Sequence, residues 1–426
     1  VAAPAHETTT RHLGAAYPFA AEPGLGCEGV LVGRDLLGGS FFFDPFSLYR
    51  KGFLTNPNMV VFGQIGRGKS AFVKTYLWRQ ALFGRRAWVV DPKGEYKSLA
   101  NATGVEPVSL RPGGRVRLNP LDAPVCADAR EPEGTTRRRA ELLSSLAAAS
   151  LGRSLLPAER VSIELAVAEV STSGPAPTLP QVVDALLRPS ASAANAISTD
   201  VAGLAADGRN VALELRRLVA GDLRGMFDGP TTPGISLDGQ LVVLDLSAVY
   251  HSAALGVLMT CATAWLQAGL VAQADPTPHP LTDDRRERER TIVVVDEAWA
   301  ILFNLGVARW LQSSWKLSRA WGVSNVAVLH RVSDLSSAGS AGTEQVGLAQ
   351  GLLADSETRV VYSQPPGEVE RAASLLALSS TEAELVPRMG RGLALWKVGG
   401  RSFLVRHELS PHESDIVDTD APMSVT

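Results

Sequence analysis

Short apolar runs recur along the chain without the alternation of a half-exposed strand. They are NMVVFG at 58–63, AWVVD at 87–91, QLVVLDLS at 240–247, TIVVVDE at 291–297, NVAVLH at 325–330 and TRVVYSQ at 358–364. Uninterrupted β-branched runs of this kind mark parallel strands covered on both faces. Helical spacing fills the gaps: from Ser70 to Phe83, Val73, Leu77 and Ala81 share one face. The pattern predicts an α/β fold with a mostly parallel central sheet. GLALWKV and RSFLVRHE, on either side of Gly399 and Gly400, predict a C-terminal β-hairpin.

From about Asp122 to Gly239 the strand signal gives way to Ala, Leu, Arg and Glu, with Pro and Ser punctuation at 173–180 and 189–193. This predicts an inserted, mainly helical subdomain over 122–239, with the main domain made of 28–121 and 240–410. Residues 1–27 read as a flexible N-terminal extension and 411–426 as a C-terminal tail. The stretches 127–139 and 275–290 read as exposed connections, because their arginines are mixed with acids. Tyr250 to Ala274 is uncharged for 25 residues, long enough to span a bilayer. Its Thr260, Thr263, Gln267 and Gln273, and its place just after LVVLDLS, predict instead a helix buried against the sheet.

Composition narrows the class. With 45% hydrophobic and 20% charged residues in 426, the chain can bury a large core, which excludes overall disorder. A net charge of -3 leaves any basic surface local. Cys27, Cys126 and Cys261 lie far apart and near no His cluster, so neither a zinc site nor a disulfide framework is indicated, and a reducing compartment fits. The chain begins at Val1 with no basic-then-apolar leader, which reads as a fragment or a processed product.

The sharpest chemical signal is GQIGRGKS, Gly63 to Ser70, a full G-x-x-x-x-G-K-[ST] phosphate loop set between a strand and an amphipathic helix. Gly63, Gly66 and Gly68 permit the tight turn, and the backbone of Gln64, Ile65, Arg67 and Ala71 shares in the cradle. The helix opening at Lys69 adds its N-terminal dipole. Lys69 is placed to reach the β- and γ-phosphates of ATP, and Ser70 to hold Mg²⁺. A second element, TIVVVDEAW, delivers Asp296 and Glu297 at the carboxyl end of a strand, where ligands of open α/β sheets bind. Asp296 completes the magnesium shell and Glu297 polarises the attacking water. A third, AWVVDPKGEY, sets Asp91, Lys93 and Glu95 just past the strand that follows the phosphate-loop helix. Consecutive strands tend to be neighbours, so these charges border the nucleotide or a subunit interface; a Pro-Lys-Gly turn capped by acids accounts for the same letters.

The order FFFDPF, NPNMVVFGQIGRGKS, WVVDPKGEY, MFDG, LVVLDLS, VVVDEAW resembles the TrbE/TraC-type conjugation ATPases, the VirB-four class of type IV secretion within the HerA/FtsK superfamily of P-loop motors. The resemblance covers roughly 28–408. It implies a RecA-like sheet with an inserted helical subdomain, a hexamer, Mg-ATP hydrolysis at subunit boundaries, and docking to inner-membrane components of a transfer channel from the cytoplasmic face. It also implies a further N-terminal domain before the segment present here. The family carries a γ-phosphate-sensing glutamine after the strand that follows the acidic element. Here NVAVLHRVSDL puts His330 and Arg331 in that place, and Gln364, ending the next strand, is a second candidate. The family also supplies an arginine to the neighbouring subunit's nucleotide, for which Arg391, then Arg388, are the candidates, with Arg371 on the helix upstream. Trp299, Trp310 and Trp321 recur every eleven residues, as on one helix face packed in the core or binding a partner.

The expected function is a Mg-dependent ATPase motor that energises conjugative transfer or secretion of DNA or protein. A DNA translocase or helicase of the same superfamily is the first alternative, and an ATP-binding assembly scaffold with negligible turnover the second. The DEAW and DPKGEY strings, and the absence of a concentrated basic stripe, favour the first reading.

Overall fold

A computed structural model describes residues 24–417 except 38, 123–131, 173–176, 222, 236, 238, 253, 274–289, 303–307, 309–310, 313–314, 317, 320–321, 331–346 and 348–350. The strands are β1 (Val30–Asp35), β2 (Gly39–Phe43), β3 (Met59–Phe62), β4 (Arg86–Asp91), β5 (Val108–Ser109), β6 (Leu241–Asp245), β7 (Thr291–Val295), β8 (Val323–Leu329), β9 (Thr358–Tyr362), β10 (Leu393–Val398) and β11 (Arg401–His407). Among the described residues they form one sheet, ordered β2-β1-β11-β10-β9-β3-β8-β7-β4-β6-β5. Every pair from β9 to β5 is parallel, and the pairs from β2 to β9 are antiparallel. The α/β fold with a mostly parallel sheet is as the apolar runs predict: β3, β7 and β8 are buried at every position. The predicted hairpin is β10 and β11, with Val398 opposite Arg401 and Gly399 at φ 57° in the turn.

One expectation fails. β4 follows β3 directly in sequence, yet β8 and β7 stand between them in the sheet. A strand that is apolar on both faces suits any interior position, so its pattern does not say which strand lies beside it.

Alternate residues of β3 feed two cores. Val60 and Phe62 join Leu258 and Leu352 on one face; Met59 and Val61 join Phe72 and Val73 on the other. On that second face the FFFDPF segment explains itself. Phe41 and Phe43 are buried around Trp396, each ring centroid 5.1 Å away, and Phe72 meets the same indole edge-on at 5.1 Å. Asp44 caps helix α1 (Pro45–Arg50), accepting from the Phe46 N–H at 3.3 Å, and pairs with Arg85 at 3.1 Å. The aromatic cluster thereby seats helix α2 (Lys69–Ala81), which carries the phosphate loop, on the sheet.

Helix α3 (Lys97–Ala102) follows β4, and five helices stand between β5 and β6: α4 (Pro132–Leu151), α5 (Pro157–Thr172), α6 (Leu179–Leu187), α7 (Ala191–Ala196) and α8 (Val201–Val219). The reading of 127–139 as an exposed connection is corrected, since α4 begins at Pro132. Arg139 is buried and its Nε donates to the Leu121 carbonyl at 2.8 Å, because it shares a helix face with the buried Leu142, Leu143 and Leu146. The other connection, 275–290, lies outside the described residues apart from Arg290. Within the uncharged stretch, α9 (Leu255–Gln273) buries Leu258, Met259, Ala262 and Leu266 in the core. No helix among the described residues is long and apolar enough to cross a membrane. The remaining helices are α10 (Trp299–Leu302), α11 (Val369–Leu376), α12 (Ser380–Leu385) and α13 (Pro411–Val417). Within the stretch read as a tail, Glu413 of α13 receives two hydrogen bonds from Arg79 of α2, at 2.6 and 2.7 Å.

Candidate functional site

The phosphate loop joins β3 to α2. Gly66 and Gly68 adopt φ of 76° and 106°, a region that side chains avoid. Gly63 is fixed by space: a Cβ there would lie 2.5 Å from the Cβ of Tyr362 on β9. The loop is stitched to both neighbouring strand ends, the Gly63 N–H donating to the His330 carbonyl and the Gln64 N–H to the Ser363 carbonyl, each at 3.2 Å. Lys69, Ser70 and Ala71 form the first turn of α2, whose N–H groups have no carbonyl within the helix to bond. Ile65 is exposed at the tip and Ser70 half-buried. Arg67 donates to the Gln64 side-chain oxygen at 3.4 Å.

Lys69 is buried and folds back, donating to the carbonyl of Gly63 and to that of Gln64 at 3.0 Å. Burial lowers its ammonium to about 8, against the opposing pull of the Asp296 and Glu297 charges. Its Nζ lies 3.3 Å from Nδ1 of His330.

Asp296 and Glu297 follow β7, both buried. Burial, together with the charges of Glu297, Glu95 and Asp91, raises the Asp296 carboxyl to about 8. Glu297 sits in the left-handed region at φ 52°, unusual for a residue with a side chain. Its Oε1 faces His330 Nε2 at 2.7 Å and pairs with Lys93, while Oε2 accepts from the Trp299 indole N–H. Burial alone would raise this carboxyl, but the hydrogen bonds from His330 and Lys93, with the Lys93 charge, outweigh it and hold it at about 2.

The DPKGEY segment divides between both readings of it. Asp91 is structural: its buried carboxylate accepts from the N–H groups of Lys93, Gly94, Glu95 and Tyr96 at 2.8 to 3.2 Å, closing the turn. Burial lifts its carboxyl to about 6 against the pull of those amides. Lys93 reaches Glu297 although β4 is not beside β3, because β4 is beside β7. Glu95 is half-buried and adds negative charge near Asp296 and Lys69.

His330 therefore stands between Lys69 and Glu297, with its carbonyl also accepting from the buried Gln364 amide at 3.3 Å. Arg331, Trp310 and Trp321 lie outside the described residues. Arg388, Arg391 and Arg371 are exposed. Gly392, next to Arg391, donates its N–H to the Arg67 carbonyl at 3.0 Å, which sets that turn against the phosphate loop of its own chain. Sequence reasoning missed the Lys93–Glu297 and Trp299–Glu297 contacts. The first joins residues on separate strands, with no signal in spacing; the second was within reach, since Trp299 follows Glu297 by two positions.

No protein-family profile matches the chain, and no curated protein aligns with it significantly. Solved structures do match. VirB4 of Thermoanaerobacter pseudethanolicus superposes with a TM-score of 0.72 at 22% identity, over 92% of this chain and 100% of that one. The bacterial conjugative coupling protein TrwB, unbound, gives 0.56 at 15% identity over 83% of this chain and 85% of its own. The plasmid coupling protein TrwB in complex with ADP and Mg²⁺ gives 0.58 at 14% identity over 90% and 91%. The chain has the fold of these proteins, a RecA-like P-loop architecture, and the resemblance to the VirB-four class holds at the level of the fold.

Proposed function

We propose that this chain is a Mg²⁺-dependent ATPase motor that energises conjugative transfer or type IV secretion of DNA or protein. The observation that carries this reading is the meeting of Lys69, His330 and Glu297 from three separate strand ends, with contacts of 3.3 and 2.7 Å through one imidazole. A loop that only gripped a nucleotide has no use for a carboxylate held in place at that point. The VirB4 and TrwB likeness supports the transfer system as the setting.

The residues present suit magnesium. The Ser70 hydroxyl and the Asp296 carboxyl are hard oxygen donors, and Asp296 lies among further carboxylates whose charge a cation would balance. Mg²⁺ is commonly held by one or two protein oxygens and fills the rest of its shell with substrate phosphate and water. When bound, Mg²⁺ would offset charge on the phosphate oxygens during transfer.

The chain's own groups divide the work. The loop amides and the α2 dipole hold the phosphates, and Lys69 supplies positive charge to them. Glu297 takes the proton of the water that attacks the γ-phosphorus as the bond to the bridging oxygen breaks. His330 fixes the spacing between Lys69 and Glu297. Assembly as a homo-oligomer, expected to be a hexamer docked on inner-membrane channel components at the cytoplasmic face, belongs to the same proposal. Arg391 and Arg388 are its candidate charge donors to the neighbouring subunit's nucleotide; both are exposed, and the Gly392–Arg67 bond sets the Arg391 turn beside the phosphate loop. The test is Mg-dependent phosphate release by the purified chain: Lys69→Ala should abolish it while the fold, judged by circular dichroism, persists. Unaltered release by that variant would overturn the proposal.

A further inference from the structure

The turn from Asp91 to Tyr96 has no task in wrapping phosphates, yet it delivers a cation to Glu297. An ionised carboxylate offers about four lone-pair positions. Three are filled here. Lys93 Nζ and His330 Nε2 share Oε1, the latter at 2.7 Å, and the Trp299 indole N–H fills one position on Oε2. Among the described residues no donor fills the remaining position, on Oε2. Because the three donors come from the turn after β4, the end of β8 and the start of α10, the carboxylate cannot rotate without breaking at least one of them.

Lys93 is itself held. Its backbone is pinned by the four amide bonds to the Asp91 carboxylate, with Gly94 at φ 74° allowing the turn, and its Nζ lies 5.7 Å from the centre of the Tyr250 ring. Other charges around Glu297 have different work. Lys69 faces the loop, and Asp296 and Glu95 are carboxyl groups that offer no positive charge. Among the described residues, Lys93 is the full positive charge in direct contact with the carboxylate that phosphate binding does not claim.

We propose that Lys93 is a positioning residue for hydrolysis: its ion pair turns the Glu297 carboxylate so that the open lone pair on Oε2 receives the attacking water. This rests on Glu297 being the base. A carboxylate held this way needs no rearrangement before accepting the proton, and a displacement of about 1 Å in such a group costs roughly 10²-fold in rate. The left-handed backbone of Glu297, which a residue with a side chain keeps only where its surroundings hold it, belongs to the same arrangement.

The experiment compares Lys93→Met, Lys93→Arg and Glu297→Gln in the full chain. Lys93→Met should lower kcat by about 10–100-fold. KM for ATP, and affinity for a fluorescent non-hydrolysable ATP analogue with Mg²⁺, should stay within about 2-fold of the parent, since uniform binding is untouched. Lys93→Arg, keeping the charge, should recover most of the loss. The emission that Trp299→Phe removes should change in Lys93→Met, because the indole's acceptor has turned. If Lys93→Met fails to fold, Tyr250→Leu, which removes only the flank of the ammonium, should give a smaller fall in kcat at unchanged KM. Parental kcat in Lys93→Met beside an inactive Glu297→Gln overturns the role of Lys93 and leaves the base in place. A matching loss in KM and analogue affinity also overturns it, by moving Lys93 to the nucleotide. Full turnover by Glu297→Gln instead withdraws the base itself.

Discussion

His330 presents Nε2 to Oε1 of Glu297 at 2.7 Å, in the place where the VirB-four resemblance leads one to expect a glutamine. The imidazole bonds in two directions, since Nδ1 faces Lys69 Nζ at 3.3 Å. The tautomer with its hydrogen on Nε2 donates to Glu297 and accepts from Lys69 on Nδ1, while Lys93 Nζ, 3.3 Å from the same Nε2, gives its hydrogen to the carboxylate instead. A glutamine amide has one acceptor and one donor end and is suited to the same bridge.

His330→Gln should therefore keep turnover within about 10-fold, whereas His330→Ala, which removes both contacts, should lower it by about 10² with nucleotide affinity retained. Steady-state phosphate release on the two variants checks this. Equal loss in both would mean that the ring, and not the bridge, is what matters.

Arg391 tests where the arginine acts. Arg391 is exposed on the turn beside the phosphate loop, so Arg391→Ala should lower turnover, by about 10³ or more if the arginine meets a neighbouring subunit's transferring group. Mixing Arg391→Ala with Lys69→Ala subunits should partly restore activity, because some interfaces then pair an intact phosphate loop with an intact arginine. No recovery on mixing would mean that the arginine does not act on a neighbouring subunit's nucleotide.

His407 gives the fold an acid-sensitive point. Burial, and next the Arg79 cation, push its imidazole down to about 4 from the ordinary value near 6.5, while it bonds the Thr75 hydroxyl of α2 at 2.8 Å. The folded state thus binds the proton more weakly than the unfolded chain. This contribution is fully present above about pH 6.5 and is lost as pH falls toward about 4. Thermal melting followed between pH 7 and 4 should fall, and His407→Gln should flatten that part of the profile. An unchanged slope in the variant would assign the acid sensitivity to another group, such as Glu413.

The strands, the hairpin and the phosphate loop were legible because each is a local pattern: a buried apolar run, two glycines between two strands, a glycine-lysine spacing between strand and helix. Asp296 and Glu297 were legible for the same reason. What the sequence did not carry is sheet order, since β3, β4, β7 and β8 are interchangeable by pattern, and with it the Lys93–Glu297 pair that depends on β4 lying beside β7. Asp91 carried both a functional and a structural meaning in the same letters, and only its four amide bonds decide for structure. Arg139 was misjudged because a run of arginines beside acids looks solvated until a helix turns one of them inward.

Hydrolysis by this chain depends on Glu297, where binding and chemistry can be measured separately. Glu297→Gln preserves shape and most hydrogen bonding but cannot take the proton of water. The variant should bind Mg-ATP with parental affinity, by equilibrium titration of a fluorescent analogue, while a single turnover of bound ATP slows by about 10² or more. A single turnover at the parental rate, with binding intact, would contradict the assignment and place the base elsewhere in the site.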